Sequence, residues 1–321
     1  MLQYAIAAAV VAMSAMIAVP SAAQYPDKPV KIVVPFAPGG TSDFVARITA
    51  LKLQELTGKA FVVENRLGAS GRTGYVSVAK SEGDGYTLVA SDTSYAMLAG
   101  LFAKLDWAHE TDLVPITVTA STPVVVVAHP STGFKSLKGL IDYAKANPGK
   151  LNYGSGGRGS STHLAAELLK SMAGVDMVHV AFKGAGDAVN GVLSNSVQVL
   201  IAAPPTVLGH VQGGSLTGLA ISSPERLVAL PDVPTTKEAG LPAYNVSNWF
   251  GLMAPKGTPP AVLAYLQQNV EKVLTQADVK ERLLAQGAWP VGNSPADAAK
   301  HVRSETELWS RVIREAKIEA Q

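Results

Sequence analysis

The sequence predicts an α/β fold of two domains with largely parallel sheets. Three observations point there. Strand-like and helix-like segments alternate from residue 29 onward. A chain of 321 residues stands near the practical limit of a single core. Two Gly- and Ser-rich loops each follow a strand and open a helix, as they would on either side of a cleft. Composition narrows the class further. The chain is 47% apolar and 16% charged, with 29 Gly, 20 Pro and no Cys, which excludes a disordered or fibrous protein and a disulfide scaffold. Net charge is +2, from 27 Lys and Arg against 25 Asp and Glu, and no run of five like charges offers a nucleic-acid surface. Without Cys there is no thiolate nucleophile and no Cys-ligated metal.

The elements follow in order. Val30–Phe36 is a short apolar run, and Ser42–Leu56 has helical spacing through Phe44, Val45, Ile48, Leu51 and Leu56. Gly58 stands just past its end, where a left-handed residue is wanted. Phe61–Glu64 and Tyr86–Ala90 read as strands, and Pro123–His129, with four consecutive valines, as a strand buried on both faces. A second unit follows: helix 136–146, strand 151–153, helix 160–172, strand 177–182, helix 185–194, and strands 197–201 and 216–222. Strand 246–253 then precedes helices near 259–275, 277–286 and 294–317. Ser294 and Pro295 open the last as an N-cap with proline at the first helical position.

The first 23 residues carry no Asp, Glu, Lys or Arg, and Ala5 to Val19 is almost wholly apolar. Small residues at Ser21 and Ala23 fit a signal peptide cleaved between Ala23 and Gln24, although Lys and Arg are missing from its start. The apolar stretch of roughly 16 residues falls short of the ~20 a membrane-spanning helix needs, and Pro20 ends it. A mature protein without a cysteine to lipidate is expected to be soluble in the periplasm.

The informative loops are Pro35–Asp43 and Tyr153–His163. Their glycines let backbone approach a ligand, and their hydroxyls and helix N–H groups suit a carboxylate. Ordinary strand–helix turn chemistry, which also favours Gly, Ser and Asp, is the competing account of either loop alone. Catalytic motifs fail one by one. Gly154, Gly156 and Gly159 satisfy G-x-G-x-x-G, but no acid ends the next strand, as a ribose would require. Gly58-Lys59 and Gly149-Lys150 lack the following Ser or Thr of a phosphate loop, and G-x-S-x-G is absent. The six histidines (109, 129, 163, 179, 210, 301) contain no H-x-x-x-H pair, and His163 with Glu167 makes two ligands without a third. No acid/base couple stands out among Asp27, Asp43, Glu64 and Asp92.

Several further pieces stand in a fixed order: Tyr25-Pro26-Asp27-Lys28-Pro29, the loop to Asp43 with Ala46-Arg47, and Val63-Glu64-Asn65-Arg66-Leu67-Gly68. Gly85-Tyr86-Thr87-Leu88 and Val180 to Gly184 come next, then Leu230-Pro231-Asp232-Val233-Pro234-Thr235, Trp249-Phe250-Gly251-Leu252 and Ala254 to Pro259. From Tyr25 to about residue 315 the chain resembles the Bug-type periplasmic substrate-binding proteins of tripartite tricarboxylate transporters. The resemblance implies a two-domain periplasmic binding protein, type II-like, each domain a mainly parallel sheet flanked by helices, with the ligand cleft between. The implied division is a signal peptide over 1–23, one domain from 24–123 plus 249–321, and a second over 124–248. The implied function is non-catalytic: an extracytoplasmic receptor closes on a small carboxylate and passes it to a two-component inner-membrane permease. No cofactor, metal or nucleic acid is expected, and a monomer suits a hinge-closing receptor.

Carried over by position, one ligand carboxylate is held largely by backbone N–H groups and water at Phe36, Pro38, Gly39, Gly40, Thr41, Ser42 and Asp43. The ligand's other end meets Ser155, Gly156, Gly157, Gly159, Ser160 and Ser161, with His163 behind. Ser91, Asp92 and Thr93 lie at the cleft, and Lys183, Gly184 and Ala203 stand nearby. Two positions depart from the family pattern: Asp92 brings a charge to a loop that is usually uncharged, and Ala202 replaces a frequent acid. If Asp92 faces the cleft it disfavours a polycarboxylate and favours a monocarboxylate bearing a donor group; otherwise it caps the short helix at 94–100. Two other functions share these features, a periplasmic sensor module serving a sensor kinase and an exported hydrolase, the latter requiring a nucleophile–base pair in the cleft.

Overall fold

The computed structural model describes residues 25–315 and Ile318. The signal-peptide reading of residues 1–23 and its cleavage point lie outside them. In chain order the elements begin with strand β1 (Val30–Val34), helix α1 (Thr41–Thr57) and strand β2 (Phe61–Asn65). Helix α2 (Arg72–Ala79), strand β3 (Thr87–Asp92), helix α3 (Thr93–Leu101), strand β4 (Leu113–Pro123) and strand β5 (Val125–Ala128) follow. Next come α4 (Leu137–Ala146), β6 (Asn152–Ser155), α5 (Ser161–Ala173), β7 (Val178–Ala181) and α6 (Ala185–Leu193). Then β8 (Val199–Ala202), α7 (Pro204–Gln212), β9 (Thr217–Ile221) and β10 (Ser247–Pro255) lead to the closing helices. These are α8 (Pro260–Thr275) and α9 (Ala277–Ala285), then, after the two-residue β11 (Trp289–Pro290), α10 (Pro295–Glu315).

Two sheets result, a six-stranded one ordered β11-β4-β10-β3-β1-β2 and a five-stranded one ordered β7-β6-β8-β5-β9. Helices flank both, as expected for a two-domain binding-protein fold. The sheets are mixed, however, and not mainly parallel. β1 is parallel to β2 and β3, and β6 to β7 and β8. β10 runs antiparallel to β3 and β4, and β5 antiparallel to β8 and β9. Connectivity is the reason. Strands joined by a crossover helix return in parallel, whereas β5 and β10, which receive the chain as it passes between sheets, enter against the prevailing direction.

Local sequence explains most elements and misplaces some faces. Helix α1 ends where expected, at Gly58 with φ of 68°, whose N–H bonds Gln54. Its buried face is Val45, Ala46, Ile48, Ala50 and Leu53, while the larger Leu51 and Leu56 stay exposed. The small alanines let the helix lie close to its sheet, which outweighs burying two more leucines. Elements α2, β4 and α7 were not expected. Pro204 and Pro205 open α7, where a missing N–H costs nothing.

The core is continuous across the two lobes: Val33, Tyr75, Val89 and Leu98 from the first pack in one cluster with Val126, Tyr153, Leu164 and Leu219 from the second. The crossings themselves are tied together. Val124 and Val246, beside the two passages between sheets, are both buried. Ser222 Oγ accepts from Val124 N–H at 2.8 Å and donates to the Val246 carbonyl at 2.5 Å, and Ser222 N–H donates to the Val124 carbonyl. Ser222→Ala would leave a buried donor and acceptor without that hydroxyl, so a loss of about 2–4 kcal/mol is expected. Urea unfolding of the variant checks it; an unchanged midpoint would show that the hydroxyl does not tie the crossings.

Candidate functional site

Five helices begin at one cavity of about 50 Å³ between the lobes. At roughly 10–15 Å³ per water-sized group, it takes about three to five of them. Helix α1 contributes Gly40, Thr41 and Ser42; α3 contributes Asp92 and Ser94; α5 contributes Ser160, Ser161 and Thr162. Helices α6 and α7 present Ala185, Ala203 and Thr206, with Phe36, Ala37, Gly156, Asn248 and Phe250 completing the wall. The ends are not equivalent. Asp92 caps α3 by accepting from Ser94 N–H at 2.9 Å, and Ser160 caps α5 by accepting from His163 N–H at 3.3 Å. Helices α1, α6 and α7 start at Gly40, Gly184 and Ala203 with no side-chain cap. At α1 and α6 no side chain competes for the first-turn N–H groups, whereas α7 opens on Pro204 and Pro205, which have none, and Thr206 N–H bonds the Ala203 carbonyl at 3.1 Å.

The first loop is rigid because Asp43 organises it. Its carboxylate accepts from Gly39 N–H at 3.1 Å, Asn65 Nδ2 at 2.9 Å and Arg47 Nε at 2.9 Å, and Asn65 also holds the Phe36 carbonyl at 3.0 Å. Burial works to raise the Asp43 carboxyl, but Arg47, Asn65 and Gly39 outweigh it and hold the group below its usual range. Asp43 thus lies behind the loop, while Pro38 and Gly39 are exposed at its rim. Asp92 is the only ionisable side chain on the cavity wall among the described residues. Ser42 Oγ donates to it at 2.6 Å. Burial drives its carboxyl above the ordinary range, with the Ser42 and Ser94 bonds opposing. It therefore does both things weighed from the sequence: it caps the helix and faces the cavity. Neighbouring Ser91 is buried outside the cavity wall, and Thr93 Oγ accepts from Trp249 N–H at 2.9 Å.

The second loop is braced from within its own lobe. Ser155 turns its hydroxyl to His179 Nε2 at 2.6 Å, away from the cavity wall, and Gly159 N–H donates to His163 Nδ1 at 3.0 Å. The two imidazoles stack with centroids 3.9 Å apart, and Tyr153, bonded to Glu167, stacks on His179. Gly157 carries the carbonyl that Ser160 Oγ binds at 2.7 Å. The loop also meets the first lobe. Ser161 N–H donates to Ser94 Oγ at 3.1 Å, and Ser70 Oγ donates to the Arg158 carbonyl. Gly159, with φ of 73°, presses on Leu101, where a Cβ would come within 2.3 Å. Gly184 fits against Ala37, where a Cβ would stand 3.0 Å from the alanine methyl. Lys183 is exposed and off the wall.

Of the residues expected at the cleft, Phe36, Gly40, Thr41, Ser42, Asp92, Gly156, Ser160, Ser161 and Ala203 line the cavity. Asn248, Phe250, Ala185 and Thr206 join them without having been expected as ligand contacts. A helix-starting position after a βα loop could have signalled Ala185 and Thr206, but nothing local singles out Asn248. Among the described residues, no group of three or more His, Cys, Asp or Glu is placed to hold a metal ion.

Burial depresses His163 to about 4 and His179 to about 3, the latter also through repulsion from His163. The unfolded chain takes up these protons first, near pH 6.5. Their contribution to stability is therefore whole at neutral pH, declines as pH falls below about 6.5, and levels off near 3–4. Denaturation midpoints measured from pH 7.5 to 4.5 should show a shallower decline in His179→Gln than in the unaltered chain. Equal slopes would mean that the stacked pair is not the acid-sensitive element.

Comparison with known proteins follows the same lines. The sequence profile of the tripartite tricarboxylate transporter family receptor matches residues 45–318. Protein BugT of Bordetella pertussis is 38% identical over 297 residues, covering 92% of this chain and 91% of BugT. A solved structure described as a periplasmic transporter superposes with a TM-score of 0.90 at 36% identity, over 92% of this chain and all of the other. The R. palustris protein Rpa4515, solved with adipate, gives 0.89 at 33% identity, over 92% and 99% of the two chains. A profile match over most of the sequence, full-length relatives above 30% identity and a shared two-lobed architecture agree: the chain belongs to the Bug-type family of tripartite tricarboxylate transporter receptors.

Proposed function

We propose that this receptor captures a short carboxylate in the periplasm, in the cavity between its lobes, and hands it to a two-component inner-membrane permease. The observation that carries the reading is the convergence of helix N-termini, those of α1 and α6 without a side-chain cap, on a cavity wall that has no Lys, Arg or His among the described residues. Magnitudes decide how such a site works. Removing a carboxylate from water costs several kcal/mol. One helix dipole returns about 0.3–1 kcal/mol, up to ~2 when partly buried, which alone is not enough. Hydrogen bonds to a charged group add about 1.5–3 kcal/mol each, so several backbone N–H donors acting with the dipoles can hold a single negative charge.

The binding residues in this reading are Phe36, Gly40, Thr41, Ser42, Gly156, Ser160, Ser161 and Ala203, with Asp43, Ser155, Gly159 and His163 holding the loops in shape. The moving bodies are 24–123 with 249–321 and, opposite them, 124–248. A ligand touching both stabilises only the closed arrangement, so its differential affinity drives closure. Both halves of the cavity come from one chain, which supports a monomer as the working unit. Export would be directed by the N-terminal segment and completed by its removal near Ala23 and Gln24, which releases the mature receptor into the periplasm.

Asp92 sets the limit on ligand charge. A second carboxylate beside it meets a like charge in a poorly solvated cavity. Titration calorimetry with propionate, succinate and citrate tests both statements. At least one of the first two should bind, citrate should bind tenfold or more weakly, and Asp92→Asn should narrow that gap. No binding by any carboxylate would overturn the receptor reading; tightest binding by citrate would overturn the role of Asp92 alone.

A further inference from the structure

The carboxylate reading leaves one lining group unexplained. Among the described residues, Asn248 is the one side chain on the cavity wall that has a buried polar atom without a partner, its Oδ1. The residue is only 3% exposed, so bulk water does not serve that atom. Leaving such a group empty costs about 1–3 kcal/mol, and the fold does nothing to relieve it. On the contrary, it fixes the residue. Asn248 sits on β10, where it pairs with Thr122 of β4. The next residue, Trp249, is pinned through its N–H by Thr93 Oγ, and Phe250 pairs with Asp92. Asn248 and Phe250 are two apart on the strand and share a face, and both reach the cavity.

The consequence is a cavity with two chemically different sides. Helix N-termini supply donors. The floor supplies acceptors: the Asp92 carboxylate, each of whose oxygens accepts one internal bond and keeps a second lone pair, and the Asn248 carboxamide. A 180° turn of the carboxamide exchanges its donor and acceptor, so it matches a group that both gives and takes a hydrogen bond. The geometry points to Asn248 as a specificity-determining residue that selects carboxylates bearing a hydroxyl or amino group. A plain carboxylate would satisfy the helix ends and leave Asn248 unpaired. Sites built around a buried polar group reject analogues lacking its partner far more strongly than they reject a change of shape. This inference rests on the carboxylate reading above and adds the second half of the ligand.

Matched ligands test it by calorimetry on the mature full-length protein: propionate against lactate and alanine, and succinate against malate and aspartate. Within at least one series, the hydroxyl- or amino-bearing member should bind tenfold or more tightly than the plain acid. A hydroxyl preference and an amine preference give different patterns, lactate and malate leading in one case, alanine and aspartate in the other. In Asn248→Ala the ratio should fall to within about threefold, with thermal unfolding confirming that the variant is folded. Asn248→Leu, closer in volume, should do the same. Equal affinities within both series of the unaltered protein would overturn the inference while leaving the carboxylate reading intact, as would a preference that survives in both variants. Failure of all six acids to bind would overturn both.

Discussion

Helix ends that open on the same cavity carry positive partial charge into one small volume, and much of this protein is arranged around that fact. Two of the five, at Gly40 and Gly184, leave their first-turn N–H groups without a side-chain cap, while the end at Ala203 is also uncapped but opens on two prolines. Asp92 sets one carboxyl group on the wall beside them, the only ionisable side chain there among the described residues. The same convergence explains why the two-lobed plan is needed. A single sheet could not aim α1 and α3 at α5, α6 and α7; two sheets facing one another can.

Holding those ends in register falls to groups that never touch the cavity. Asp43, Arg47 and Asn65 set the first loop, while Ser155, His163 and His179 set the second. Ser222 ties the strands that pass between the lobes. The division of labour is physically economical. Most charged and titratable side chains do structural work where their partners are fixed, and apart from Asp92 and Asn248 the polar part of the cavity wall is left to backbone and small hydroxyls. Contacts such as Ser94 with Ser161 and Leu101 with Gly159 then bring the halves together with little side-chain bulk between them.

How much of this could be read from the sequence depends on whether the signal was local. The two Gly- and Ser-rich loops were visible because a glycine next to hydroxyl residues at a strand–helix junction has a direct chemical meaning. The roles within them were less visible: whether Ser155 faces a ligand or His179 depends on a strand neighbour 24 residues away. Asn248 was invisible for the same reason at longer range, since β10 is brought beside Asp92 only by the return crossing. The mixed character of the sheets escaped because local periodicity reports an element's type but not its direction. Helix α7 escaped because paired prolines look like a turn unless one knows that they occupy a helix start.

Anion capture by main-chain amides, as proposed above, would have an evolutionary consequence. Substituting a side chain cannot delete an amide, apart from the special case of proline, so the basic ability to hold a negative group is protected from most point mutations. On that reading, variation at Asp92 or Asn248 on the cavity wall would redirect the receptor to a new solute without an intermediate that binds nothing. A lineage carrying this architecture can drift among nutrients one residue at a time, each step starting from a working grip on the charge.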